Sequence, residues 1–239
     1  MCYIIIIFQF RINIDYEKFI KKYLEKINSH YFEQLASYSI IRENFQELRK
    51  VTNFNNREKL WKNIFSEFQD QKITVLEFGV WKGYSLNQFS KLNLNPKTAF
   101  YGFDSFLGLP ENWGKNLKKG SFNLFGSIPE IEDKRVEYIN GWFQNTLPVF
   151  LKSLKLSDEL FVHFDADIFS STLYVMLELD RLKTDYYAIF DEFPGHETRA
   201  LNNYLQISGA SVKFLSSSGN KKYPMQVCCK ISPVIEFKA

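Results

Sequence analysis

Between Asp15 and Ile27 the apolar residues Tyr16, Phe19, Ile20, Tyr23, Leu24 and Ile27 recur at spacings of three and four. That periodicity predicts an amphipathic helix with lysines on its outer face. A second helix is predicted from Arg57, with Leu60, Trp61, Ile64, Phe65 and Phe68 on one face and Asn56 as its cap. From Lys72 onward the pattern changes. Short β-rich runs at Ile73–Phe78, Thr98–Phe103, Arg135–Ile139, Leu160–Asp165 and Tyr186–Asp191 alternate with helical spacing at Leu86-Phe89-Leu92 and Thr172–Leu182. Such alternation predicts an α/β domain, a mainly parallel sheet wrapped by helices. Ser211–Leu215 and Gln226–Ile231, joined across Ser216–Lys222, read as a hairpin that adds a last antiparallel strand. The expected organisation is an N-terminal helical cap over residues 1–70 and the α/β domain over 71–239.

Composition alters this picture little. At 239 residues the chain suits one domain with a decoration. An aromatic content of 17%, with 24 Phe, points first to bulky core filling and second to stacking surfaces for planar ligands. The net charge of +3 is spread along the chain with no basic block, which argues against a nucleic-acid partner. Cys2, Cys228 and Cys229 are too few for a disulfide framework, so a reducing compartment, the cytoplasm, is expected. The opening run Tyr3–Phe8 is far shorter than the ~20 apolar residues a membrane span needs. It also lacks the basic flank and cleavage site of a signal peptide. It reads as a short strand, a packing contact or a homodimer contact, with a mis-assigned start codon as a further reading.

The chemistry concentrates where strand-like runs stop. Leu160–Phe164 ends in Asp165-Ala166-Asp167, and Tyr186–Phe190 ends in Asp191-Glu192. Side by side in a parallel sheet, these runs would bring four carboxylates to the edge at which open α/β sheets bind ligands. Like charges so placed need a hard divalent cation between them, or a proton on one of them. Glu77-Phe78-Gly79-Val80-Trp81-Lys82-Gly83-Tyr84-Ser85 closes the first strand and opens a helix. Gly79 and Gly83 allow a tight turn, and the helix start around Ser85 offers unpaired N–H groups suited to a nucleotide or a carboxylate. The turn is neither a dinucleotide fingerprint nor a P-loop. Asp104, at the tip of the second strand, suits a ribose diol, or else merely caps a helix after it. Carboxylates at strand ends are also ordinary caps and turn formers, a reading that stays open for Asp167 ahead of Ser170-Ser171-Thr172. His163 shares a strand face with Asp165 and reads as an inner, hydrogen-bonded histidine, and His196 lies in a loop on the same edge.

Five segments, in order, resemble the macrocin O-methyltransferase (TylF) family: Leu76–Gly83, Tyr101–Trp113, Asn140–Pro148, His163–Leu173 and Phe190–Phe193. The resemblance spans Val75 to Leu201 and leaves residues 1–70 outside it. It implies a Rossmann-like class I methyltransferase sheet and a magnesium-dependent, S-adenosylmethionine-dependent enzyme that methylates sugar hydroxyls of glycosides. By that resemblance Glu77 and Gly79 shape the methionine end of the cofactor site, Asp104 takes the ribose with Ser105 beside it, and Gly141 and Trp142 lie near the adenine. Asp165, Asp191 and Glu192 match the family's metal ligands, and Asp167 its general base. Glu192 stands where the family usually has Asp, an extra methylene that a flexible carboxylate absorbs or that alters the metal geometry. The expected substrate is a glycan or small glycoside. A catechol-type acceptor and a non-catalytic relic of the same fold are the competing readings. The segment from Leu107 to Ile128, rich in glycine, is long enough to be a lid or binding loop.

Overall fold

A computed structural model describes residues 29–235 apart from 115, 157 and 158, together with Lys18 and Lys22. The predicted helix at Asp15–Ile27 and the run Tyr3–Phe8 lie outside the described residues. In chain order the helices are α1 (Ser29–Asn44), α2 (Arg57–Ser66), α3 (Tyr84–Leu92), α4 (Phe143–Ser153), α5 (Phe169–Asp180) and α6 (Thr198–Ser208). The strands are β1 (Thr52–Phe54), β2 (Ile73–Phe78), β3 (Ala99–Asp104), β4 (Val136–Asn140), β5 (Glu159–Phe164), β6 (Tyr186–Phe190), β7 (Ser211–Gly219) and β8 (Pro224–Ser232). They form one eight-stranded sheet in the order β1-β7-β8-β6-β5-β2-β3-β4. All neighbours are parallel except β8, which runs antiparallel between β6 and β7. The parallel core with a late antiparallel strand is the expected α/β architecture.

Period-two alternation divides the sheet's two faces between two apolar clusters. Leu76 and Phe78 of β2, Leu160, Val162 and Phe164 of β5, and Tyr186, Ala188 and Phe190 of β6 face one cluster, built also from Ile41, Leu147, Val175, Leu179 and Tyr204. Ile73 and Val75 of β2, Phe161 of β5 and Ile189 of β6 face the other, with Leu60, Trp61, Phe65, Leu86 and Phe89. Every position of β2 is buried, as a strand covered on both faces must be. The aromatic surplus is mostly core filling: Phe164 stacks on Phe190 at 4.9 Å, and Phe161 on Tyr187 at 4.7 Å. Cys228 and Cys229, adjacent on β8, point into opposite clusters and so cannot pair with each other.

Strand limits fall within one residue of the expected ones along the central sheet, and Asn56 does cap α2, its side chain accepting from the Lys59 N–H at 3.0 Å. Two things differ. The serine run expected as a turn is strand: Ser216, Ser217 and Ser218 are buried in β7, and the connection to β8 shrinks to residues 220–223. The reason is a strand that is too short to show as a pattern. β1 pairs in parallel with these serines, Ser217 Oγ donates to Asn53 Oδ1 at 2.9 Å, and Asn53 Nδ2 donates to the Gly219 carbonyl at 3.0 Å. Ser218 Oγ likewise donates to Gln226 Oε1 at 2.6 Å, so side-chain partners satisfy two of the hydroxyls that would otherwise have argued against burial. The described part of the first seventy residues is therefore built into the sheet through β1 and into its core through α2.

Candidate functional site

The C-terminal ends of β2 and β5 approach so closely that only glycine fits between them. Gly79 has φ +91°, its N–H donates to the Phe103 carbonyl at 3.0 Å, and a Cβ there would lie 1.8 Å from the Asp165 carbonyl oxygen. Gly83, at φ +74°, starts α3 without a side-chain cap, which leaves the first-turn N–H groups of the helix open to a ligand. Asp104 ends β3 and reaches across to this turn. Its Oδ2 accepts from the Val80 and Trp81 N–H groups, both at 2.9 Å, and its Oδ1 accepts from the Phe106 N–H at 2.8 Å. The Asp104 carboxylate thus ties the glycine turn to the tip of β3 and shapes its own Asx turn as well. Gly141, at φ +144°, follows β4, donates to the Asp104 carbonyl at 2.9 Å, and puts Trp142 at the start of α4.

These elements surround one cleft of about 770 Å³, a size that suits a nucleotide-sized ligand. Its walls include Gly79, Gly83, Ser85, Asp104, Ser105, Gly141, Trp142, Asp165, Asp167, Asp191 and Glu192, so all but one of the cofactor, metal and base candidates read from sequence meet there. The segment after β3 supplies Gly108, Leu109, Pro110, Trp113 and Phe122 to the same walls. Glu77 is the exception. It lies beneath the turn, fully buried, with Oε2 3.0 Å from Nδ1 of His163, itself 1% exposed. Burial raises the Glu77 carboxyl; burial alone would lower the His163 imidazole, but contact with Glu77 outweighs it and the net shift is upward. The pair lies under the Gly79–Gly83 turn, packed edge-on by Trp61 and Phe89.

At the other end of the cleft stand the carboxylates. Asp165 and Asp191 follow directly from β5 and β6, with Asp191 further held by Gln226, whose Nε2 donates to its carbonyl at 2.8 Å. Asp167 sits at φ +63°, and the Ile168 N–H closes a three-residue turn onto the Ala166 carbonyl at 2.6 Å. Backbone held in that region is strained, and Asp is among the few side chains that tolerate it. Asp167 caps no helix. The first turn of α5 is served by His196, whose Nδ1 accepts from the Phe169 N–H at 2.9 Å. Burial, then Glu192 and Asp191, push the Asp167 carboxyl up to about 8. Burial and Asp191 push Glu192 up to about 7, with Arg57 opposing. Burial and Asp191 also hold Asp165 well above the usual carboxylate range.

Two charged residues at this site carry no sequence signature. Arg57, the first residue of α2, directs Nη1 to Asp191 Oδ2 at 3.2 Å and Oδ1 at 3.4 Å. Glu197, 1% exposed, accepts from the Glu192 N–H at 3.1 Å through Oε2, while its Oε1 has no partner among the described residues. A pairing 134 residues apart and a carboxylate in an irregular turn could not have been read from periodicity. Among the described residues no three Asp, Glu, His or Cys side chains close on a common point as an ion's ligands would. The donor chemistry, all carboxylate oxygen, suits a hard cation, while Asp191 as it stands is turned to Arg57.

Raised carboxyl values carry a prediction for the ion-free protein. Asp167 and Glu192 bind protons more tightly folded than unfolded, where their values are roughly 4. Their contribution to stability is therefore fully present below about pH 4 and is lost as pH rises through about 7 and 8. In a chelator, Tm should fall between pH 5 and 8.5. A Tm that is level or rises across this window in chelator would contradict the buried-carboxylate picture.

A sheet in this order, with the ligand cleft at its C-terminal edge where a Gly-bearing turn meets an acidic cluster, is the Rossmann-like fold of methyltransferases. The chain belongs to the macrocin O-methyltransferase (TylF) family, whose profile matches residues 55–209, and it is an O-methyltransferase by that membership. The calicheamicin methyltransferase CalS11 is similar in fold, with a TM-score of 0.54 at 18% identity over 86% of this chain and 93% of that one. The apo form of CalS11, described as a TDP-rhamnose 3'-O-methyltransferase, aligns with a TM-score of 0.50 at 17% identity, over 86% and 94%. No curated protein matches the sequence. No helix among the described residues is long and apolar enough to cross a membrane.

Proposed function

We propose that the protein is a magnesium-dependent, S-adenosylmethionine-dependent sugar O-methyltransferase that acts on a hydroxyl of a glycan or glycosylated metabolite. The observation that carries this reading is the meeting, in one cleft, of the Gly79–Gly83 turn with Asp104 on one side and Asp165, Asp167, Asp191 and Glu192 on the other. Family membership and the fold shared with a rhamnose 3'-O-methyltransferase support the sugar acceptor.

In this reading the backbone at Gly79 and the open N-terminus of α3, with Ser85, receive the amino-acid end of the cofactor. Asp104 keeps lone pairs free beyond its three backbone bonds and can accept from a ribose hydroxyl. Ser105 lies beside the ribose, and Gly141 and Trp142 lie near the adenine. Glu77 acts from below: with His163 it holds the turn's shape and does not touch the cofactor. S-adenosylmethionine supplies a methyl group on a cationic sulfur, an electrophile that needs only a correctly placed oxygen. Asp165, Asp191 and Glu192 would hold magnesium, which would make a substrate hydroxyl more acidic and fix its place in the cleft. Asp167 takes the hydroxyl proton. Its raised value suits a base working near neutral pH, and its left-handed turn projects it past the strand end into the cleft. Leu109, Pro110, Trp113 and Phe122 form the apolar wall that excludes water and orients the acceptor, so positioning supplies much of the rate.

Calorimetry with S-adenosylhomocysteine, in magnesium and in chelator, tests the reading. Binding is expected in both conditions, since cofactor and metal groups are separate, and radiolabelled methyl transfer to a panel of glycosides is expected only with magnesium. No binding in either condition would sink the proposed cofactor site. Binding with transfer to catechols and to no sugar would move the acceptor to the alternative class.

A further inference from the structure

We propose that Arg57 is the resident counter-ion of the carboxylate cluster and competes with a divalent cation for Asp191, so that this side chain determines how tightly the site takes metal. The inference rests on the metal reading above.

Arg57 is well placed for this role and for little else. One nitrogen, Nη1, sits astride both Asp191 oxygens at 3.2 and 3.4 Å, so an ion approaching either oxygen from the cleft meets the guanidinium. Both contacts exceed the roughly 2.7–2.9 Å of a tight charge-assisted bond, and the Arg57 side chain is 37% exposed. The pair is therefore loose enough to open. The guanidinium also has somewhere to stay when it lets go. It lies 5.2 Å from the Trp61 ring centroid and 5.3 Å from that of Tyr84, with Glu58 Oε1 at 3.5 Å from its Nε. Tyr84 in turn donates to Glu58 at 3.2 Å, which keeps this second anion in reach.

The other cation on the cleft wall does not compete. Lys82 lies over the Trp81 ring with Nζ 4.6 Å from the centroid. By contrast, Asp165, Asp167 and Glu192 crowd Asp191, and Glu197 Oε1 is buried without a partner among the described residues. Without a metal, a cluster of this sign needs protons on its carboxylates or a positive charge beside them. With Arg57 on Asp191 that need is met in the metal-free enzyme; a divalent ion brings twice the charge, and its repulsion of the guanidinium then favours the shift of Arg57 towards Glu58.

Manganese titrated into the full chain and followed by electron paramagnetic resonance tests this directly, with no acceptor required. Arg57→Met keeps the stem's packing on Trp61 and Tyr84 but removes the charge, and should bind manganese roughly three- to tenfold more tightly than the native protein, given the modest worth of a part-exposed pair and the repulsion removed with it. Arg57→Lys keeps the charge and should stay within about twofold of native. Arg57→Gln serves the same purpose as Met should that variant not fold. A merely structural arginine would give the opposite sign, weaker binding in the neutral variants. Equal or weaker binding in the neutral variants overturns the proposal and leaves the metal reading intact, as does a Lys variant that binds as tightly as the Met one. Binding by the neutral variants alone upholds the competition and removes the metal from the native enzyme's mechanism. Binding by none of the four proteins overturns both.

Discussion

Asp167→Asn is expected to lower kcat by roughly 10²- to 10⁴-fold, the usual worth of a positioned general base, while leaving S-adenosylhomocysteine affinity within about twofold of native. The substitution is close to a pure test of charge and basicity. Asn tolerates the left-handed backbone at position 167 as well as Asp does, so the three-residue turn that closes Ala166 to Ile168 survives. No helix cap is lost, because His196 rather than Asp167 serves the first turn of α5. The variant should even be slightly more stable in chelator at pH 8, since one buried acid that resents ionisation has been neutralised. Turnover measured with the best glycoside of the panel, alongside calorimetry, separates the outcomes. Native kcat in Asp167→Asn would remove Asp167 as the base; joint loss of turnover and cofactor binding would show a structural effect instead.

Gly79→Ala should be the most damaging single methyl in the molecule. The added Cβ would stand 1.8 Å from the Asp165 carbonyl oxygen and 3.2 Å from the Ala166 N, backbone atoms that cannot step aside as a side chain can. Overpacking of this kind costs about 1–3 kcal/mol, and a left-handed alanine adds roughly 1–2 kcal/mol. For a chain of this size the sum lowers Tm by roughly 5–20 °C. The consequence for function is wider than the loss of stability. Relief of the clash requires β2 and β5 to part at their tips, which moves the Gly79–Gly83 turn and the Asp165–Asp167 carboxylates together. Cofactor and manganese affinity should therefore both fall, and a Gly79→Ala protein with native Tm and native affinities would refute the close approach. Gly120→Ala makes a suitable control, because a Cβ there meets nothing within 4 Å although the backbone is likewise left-handed at φ +83°.

Much of this was legible along the chain, for reasons that differ between residues. The central strands could be delimited because burial on both faces favours mainly apolar runs, as in Ile73–Phe78, broken only by Thr74 and Glu77, and Leu160–Phe164, broken only by His163. Acidic residues at the end of such runs then announced themselves, since Asp104, Asp165 and Asp191 interrupt a pattern that otherwise excludes charge. Arg57 could not be found that way. It opens an amphipathic helix in which arginine is ordinary, and its role comes from Asp191, far along the chain. Glu77 was visible as an acid in a strand, but its neighbour on the next strand decides what it does: the register that sets Glu77 beside His163 turns it into half of a buried pair.

By itself, then, the order of residues determined the α/β alternation, the glycine turn, and the positions at which carboxylates leave the sheet, because these depend on local periodicity and on chain-intrinsic conformational freedom. Only the tertiary structure decided that β1 zips against a run of serines, that β2 and β5 meet with no room for a Cβ, that Glu197 supports Glu192 from within, and that an arginine from the N-terminal side faces the acids. Each of these is a contact between segments distant in sequence, formed because burying the two faces of one sheet fixes which strand ends become neighbours, and no pattern within a single segment encodes that choice.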